Sequence, residues 1–168
     1  ASGDVAPLAH LALVVVGEGS ASVDGGPALA GADALRQAGL QPVTLEPKEG
    51  LALINGTQPS TGVAALACVA AERVARAADI AAALSIDGLR GSMHPFEARI
   101  HDARPHAGQR AAASNIYSLL QGSGINKSHE HCGRVQDAYS LRCAAQVHGA
   151  ARVALAFVRR TLKIEGQS

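Results

Sequence analysis

Aromatic side chains are nearly missing from this 168-residue chain: Phe, Tyr and Trp make up 2% of it, and there is no Trp. Sandwiches and barrels lean on aromatic and β-branched residues to fill their pleated faces, so an all-β fold is excluded. Cysteine is scarce as well. Cys68, Cys132 and Cys143 stand at unrelated spacings, which excludes a disulfide framework and makes a reducing cytoplasm the expected compartment. Charge of one sign is lacking: the net charge is +1, and Lys and Arg are scattered apart from Arg159-Arg160, so nothing points to nucleic acid as a partner. No apolar run is long enough to span a bilayer, so no membrane partner is expected. The opening Ala1-Ser2-Gly3-Asp4 has neither the basic start nor the cleavage pattern of a secretory signal. Also absent are the Gly-x-Ser-x-Gly elbow of a hydrolase and the Gly-x-Gly-x-x-Gly spacing of a nucleotide loop.

What the sequence does have is alanine, within an apolar content of 48%. Small side chains let helix backbones approach closely, so the predicted class is mainly α. Asp4 is placed to cap a helix with Pro7 in its first turn. Leu8 to Val16 is apolar on almost every side, the mark of a buried helix. Asp24-Gly25 reads as a tight hairpin turn, with Ser20–Val23 and Pro27–Leu29 as two small strands. A short helix is predicted over Ala32–Ala38, extended chain over Pro42–Pro47, and a turn or two of helix over Lys48–Asn55. The strongest helix runs from Thr61 to Leu84, where Val63, Leu66, Ala67, Ala70, Val74 and Ala77 recur at helical spacing and Glu72 can pair with Arg76 on the outer face. Ser92–Gln109 is predicted as short helix plus loop, Ala111–Leu120 as helix, Gly122–Lys127 as loop, and Ser140–Ile164 as helix. The helices Thr61–Leu84 and Ser140–Ile164 are expected to expose apolar stripes that partner helices would cover.

Few residues suggest chemistry one by one. Ala1-Ser2-Gly3 alone is a flexible lead-in, Asn55-Gly56 a turn, Arg142 a solvated charge and Tyr139 a core residue with a polar tip. His129, His131 and Cys132 are too crowded for one tetrahedral site, and no second ligand pair stands at a motif distance, so no metal is expected. His101 and His106 flank a Pro-containing loop and read as structural.

Taken together, the motifs carry more. Ala1-Ser2-Gly3-Asp4-Val5-Ala6-Pro7-Leu8-Ala9-His10, Lys48 to Gln58 (KEGLALINGTQ) and Gln136-Asp137-Ala138-Tyr139-Ser140-Leu141-Arg142-Cys143 resemble, in order and approximate distance, the signatures of the aromatic amino-acid ammonia-lyase family. Pro95 to His101, Arg104-Pro105-His106, Ser128-His129, Cys132 and Gln146 to Ala150 are similar to its histidine branch. The likeness covers nearly the whole chain, to about Ile164. Ala145 departs from the Pro usual there, and Met93-His94 from the small residue and Pro expected before Pro95.

The resemblance implies a helical bundle of the fumarase/aspartase type with a minor β-hairpin. It implies that Ala1, Ser2 and Gly3 cyclise into methylidene-imidazolone, an electrophile needing no external cofactor. Only the side chain of Ser2 can be dehydrated to a methylene, and Gly3 leaves room for the backbone to close on itself. It implies further that Tyr139 stands at that group, that Asn55 and Gln136 contact group or substrate, and that Arg142 holds the substrate carboxylate, for which a planar guanidinium suits. The implied reaction releases ammonia from L-histidine to leave trans-urocanate, in a homotetramer. The chain does not open with Met and is expected to be one partial lyase domain, residues 1–168, truncated at both ends relative to the family. Phenylalanine or tyrosine as substrate, and a catalytically inactive helical fragment, stay open as alternatives.

Overall fold

The computed structural model describes residues 3–167. They are mainly helical with a two-stranded sheet, in the order α1 (Val5–Val15), β1 (Ser20–Ala21), β2 (Leu29–Ala30), α2 (Gly31–Gln37), α3 (Glu49–Ile54), α4 (Gln58–Gly88), a 3₁₀ turn at His94–Phe96, α5 (Ala98–Asp102), α6 (Ala107–Leu120), α7 (Gly124–Ser128), α8 (Tyr139–Arg142) and α9 (Ala144–Glu165). The mainly α class with a minor hairpin is as the sequence implied. Two compact units emerge, one up to Ala64 together with the last described residues, the other Ala65–Ile164.

In the first unit α1 packs on α2 and α3, and Leu8 and Ala34 are its buried apolar residues. The strands pair antiparallel, Ser20 opposite Ala30 and Ala21 opposite Leu29. Asp24 and Gly25 both take positive φ, 51° and 74°, and the Gly26 amide donates to the Val23 carbonyl at 2.9 Å, the twist a tight hairpin turn requires. Two expectations need correcting. Asp4 does not cap its own helix. Its buried carboxylate instead accepts from the Ser60 amide at 3.0 Å and from the Ser60 hydroxyl, capping the first turn of α4. Nor is α1 buried all round: Leu11 is 63% exposed, because α2 and α3 cover only part of its surface.

The Asp4 cap also explains why α4 starts at Gln58 rather than Thr61: the orphan amides of the first turn find an acceptor, and Pro59 there has no N–H to satisfy. The helix runs past the expected end at Leu84 and stops at Gly88.

In the second unit α4, α6 and α9 enclose a core of Ala83, Ile86, Phe96, Ala112, Ala113, Ile116, Leu120, Ala144 and Ala145. The alanines do what the composition foretold. A Cβ on Gly149 would lie 2.5 Å from the Cα and N of Gln109, and one on Gly108 would strike the Gly149 carbonyl, so α6 and α9 cross with backbones in contact. The buried line of α4 is Cys68, Asp79, Ala83 and Ile86. The residues whose spacing marked the helix, Val63, Leu66 and Val74 among them, are exposed, as are Val147, Val153 and Phe157 on α9. Glu72 pairs with Arg159 at 3.5 Å rather than with Arg76, whose Nε donates to the Glu72 carbonyl. Gly122–Lys127 is not plain loop: Ser123 accepts from the Asn126 amide at 3.0 Å and starts the short α7. The last helix is broken at Cys143, which separates α8 from α9.

Sequence reasoning overlooked a buried polar cluster here. The Asp79 carboxylate, 2% exposed, accepts from Asn115 Nδ2 at 2.8 Å, from His148 Nδ1 at 2.8 Å and from Arg152 Nη2. It ties α4 to α6 and α9. His101 is structural, as expected: buried, it donates from Nε2 to the Pro95 carbonyl and accepts from Gln109, both at 2.9 Å.

Candidate functional site

The second unit holds an open cavity of about 900 Å³. Met93, Pro95 and Leu120 supply apolar wall, and Gln136, Arg142 and Gln146 supply polar groups. An apolar hollow with a few converging polar groups is the common form of a small-molecule site.

Arg142 is positioned by α8. This single turn starts where Ala138 leaves extended backbone, and its amides at Leu141 and Arg142 donate to the Ala138 carbonyl at 3.0 and 3.1 Å. Leu141 packs against the core and anchors the turn. Tyr139 and Arg142, three apart, share a face. The guanidinium carbon lies 4.2 Å from the centroid of the Tyr139 ring, a cation–π stack that fixes the plane of the fork. Its Nε is buried and has no hydrogen-bond partner among the described residues. A buried charged donor without an acceptor is costly, and Arg152 Nε shares this state. Tyr139 keeps its outer face open, at 72% exposure.

Beside the cavity-lining His94, Glu97 binds His94 Nδ1 and Arg99 Nε, each at 2.6 Å. The hydrogen bond from His94, and next that from Arg99, hold the Glu97 carboxyl below its ordinary value. His129 is occupied locally, its Nδ1 donating to the Ile125 carbonyl at 2.7 Å. Among the described residues no group of three or more His, Cys, Asp or Glu is placed to hold a metal ion. Among the same residues no helix is long and apolar enough to cross a membrane.

The structure thus brings Gln136, Tyr139 and Arg142 together. Asn55 belongs to the first unit, an exposed residue closing the C-terminus of α3. Ala1 and Ser2 lie outside the described residues. Gly3 is described, and a Cβ there would meet nothing within 4 Å. The residue after it, Asp4, is anchored to α4. In residue types the tripeptide fits as a precursor. Asp137, which lines the same cavity with a nearly buried carboxylate, was not singled out from sequence; its signal was its place between Gln136 and Tyr139.

The family model described as aromatic amino acid lyase matches residues 1–168. The histidine ammonia-lyase of Stigmatella aurantiaca is 54% identical over 165 residues, covering 98% of this chain and 32% of that protein. A solved histidine ammonia-lyase from Trypanosoma cruzi superposes with a TM-score of 0.77 at 41% identity, over 97% of this chain and 30% of the other. The tyrosine aminomutase of Streptomyces globisporus gives 0.79 at 42% identity, over 97% of this chain and 34% of its own. This chain therefore spans about a third of the length of the curated relatives it matches. With the family model matching from the first residue to the last, the chain belongs to the aromatic amino acid lyase family.

Proposed function

We propose that this chain is the part of a histidine ammonia-lyase that supplies the electrophile and the carboxylate clamp, and that both units belong to one partial lyase domain. The observation that carries the reading is Arg142, stacked on Tyr139 and lining a cavity shared with Gln136. Methylidene-imidazolone made from Ala1, Ser2 and Gly3 would supply the electrophile that activates the amino group for departure. This chain's own side chains bind and orient the substrate. Arg142 takes the α-carboxylate of L-histidine through two parallel hydrogen bonds, with Tyr139 beneath the guanidinium holding its plane. That fixes the carbon skeleton relative to the reacting end, an orientation effect that lowers the barrier without adding chemistry. Gln136 offers a neutral hydrogen bond from the exposed loop before α8, and Asn55 a second polar contact to group or substrate.

The α1 N-terminus follows the tripeptide directly, and its partial positive charge favours negative charge at that end. The product side of the reaction is trans-urocanate and ammonia. Homotetramer formation is part of the proposal, supported by the exposed apolar residues Val63, Leu66 and Val74 on α4 and Val147, Val153 and Phe157 on α9. The proposed compartment is the cytoplasm, with no nucleic-acid or membrane partner.

The test is turnover of L-histidine by the protein as its gene encodes it. Ammonia and urocanate should appear in equal amounts, and Ser2→Ala should abolish both while leaving the helical spectrum unchanged. Undiminished turnover by Ser2→Ala would overturn the proposal.

A further inference from the structure

The loop that delivers Gln136 and leads into α8 is almost entirely exposed; Val135 is 98% accessible. One side chain in it is not. The Asp137 carboxylate is 6% exposed, and each oxygen has a partner. Oδ2 accepts from the Ser92 amide at 2.6 Å, and Oδ1 accepts from Arg134 Nη1 at 3.2 Å. Arg134 Nη1 also reaches the Arg90 carbonyl at 3.4 Å.

The turn it grips is itself rigid. Arg90 takes φ 53°, the Gly91 amide donates to the Ile86 carbonyl at 2.7 Å, and Asn126 Nδ2 donates to the Gly91 carbonyl at 2.9 Å. Ser123, which caps α7, binds Asp87 Oδ1 at 2.5 Å. Ser92 and Asn126 lie on the wall of the cavity that Gln136 and Arg142 enter.

We propose that Asp137 is the positioning residue of this site: it pins the loop to the Gly91–Ser92 turn and so sets where Gln136 and the α8 turn carrying Arg142 stand in the cavity. The proposal rests on the reading of Arg142 as the carboxylate binder. Asp137 itself touches no substrate. A charged hydrogen bond to a backbone amide is strong and directional, and a loop held by one such contact loses its register when the contact goes. What is lost is preorganisation, so the cost falls on substrate binding before it falls on the elimination itself.

The experiment compares wild type, Asp137→Ala and Asp137→Asn of the protein as its gene encodes it. It reads kcat and KM for L-histidine and amide hydrogen exchange at each position. Asp137→Ala should raise KM about ten- to a hundred-fold, the range of one charged hydrogen bond, with a smaller change in kcat. Exchange should quicken at Ser92 and in 134–142 while the amides of α6 and α9 keep their protection. Asp137→Asn keeps an oxygen for the Ser92 amide and should restore Ser92 protection and most of the affinity.

Unchanged KM in Asp137→Ala would overturn the proposal. So would a loss of kcat and KM together with general loss of amide protection, which marks a purely structural residue. If wild type does not turn over L-histidine, the lyase reading fails and the pin is judged on exchange alone. Quickening confined to Ser92 and 134–142 then upholds it, and its absence sinks it.

Discussion

Removing the Asp79 carboxylate should be among the most damaging single changes in this chain. Asp79→Ala takes one acceptor away from three donors at once: Asn115, His148 and Arg152. Arg152 suffers most. Its Nε already has no partner among the described residues, and its Nη2 would be left only the Ala75 carbonyl at 3.4 Å. Breaking a buried pair by deleting one partner costs about 3–5 kcal/mol. Here the Arg152 and His148 side chains are 21% and 22% exposed, so water relieves part of the loss, and about 2–4 kcal/mol remains. Against a typical total of about 5–15 kcal/mol this is a large share. Urea unfolding should show a lowered midpoint with an unchanged slope. A double-mutant cycle with Arg152→Met then isolates the pair, since the second change removes the stranded charge. The coupling should exceed about 1.5 kcal/mol, the least a charged hydrogen bond contributes. Stability within about 0.5 kcal/mol of wild type, the scale of an ordinary surface change, or strictly additive effects, would refute the reasoning.

Gly149→Ala should destabilise by about 1–2 kcal/mol despite the better helix propensity of Ala, because its Cβ meets the backbone of Gln109; unfolding measurements check it. Ser123→Ala removes the cap of α7 and should cost about 1 kcal/mol, seen as faster exchange of the Asn126 amide. Glu97 should titrate below 4.5 by nuclear magnetic resonance, and His94→Ala should move it back upward. A depressed carboxyl stabilises the fold above its unfolded value, and that contribution fades as pH falls through the lower folded value. Arg142→Lys should lower kcat/KM for L-histidine by roughly ten- to a hundred-fold, since an ammonium cannot form the two parallel bonds of a guanidinium.

The long helices were legible because spacing alone marks them. Their ends were less so: α4 begins at Gln58 because a carboxylate 56 residues away caps it, and no local pattern encodes that contact. The missed turn of α7 did carry a signal, Ser123 at a capping position. The buried acids were missed for one reason: a charged residue reads as solvated by default. For Asp79 the counter-signal was its place on the line with Ala83 and Ile86, four and seven residues on. Leu11 and Val63 show the converse, apolar positions at helical spacing that this chain leaves exposed. The site was legible mainly through motifs. Nothing in Arg142 alone distinguishes a clamp from a surface charge; the proposed role leans on the motif around it, and the stacked Tyr139 ring supports it.

The claim on which everything functional depends is that Ala1, Ser2 and Gly3 become the electrophile. Intact-mass spectrometry of the protein as its gene encodes it, with fragmentation across residues 1–3, tests this most directly. The expected result is a mass short of the encoded sequence by two water molecules, with the deficit confined to Ala1-Ser2-Gly3 and absent from Ser2→Ala. The full encoded mass across that tripeptide in an active preparation would contradict it.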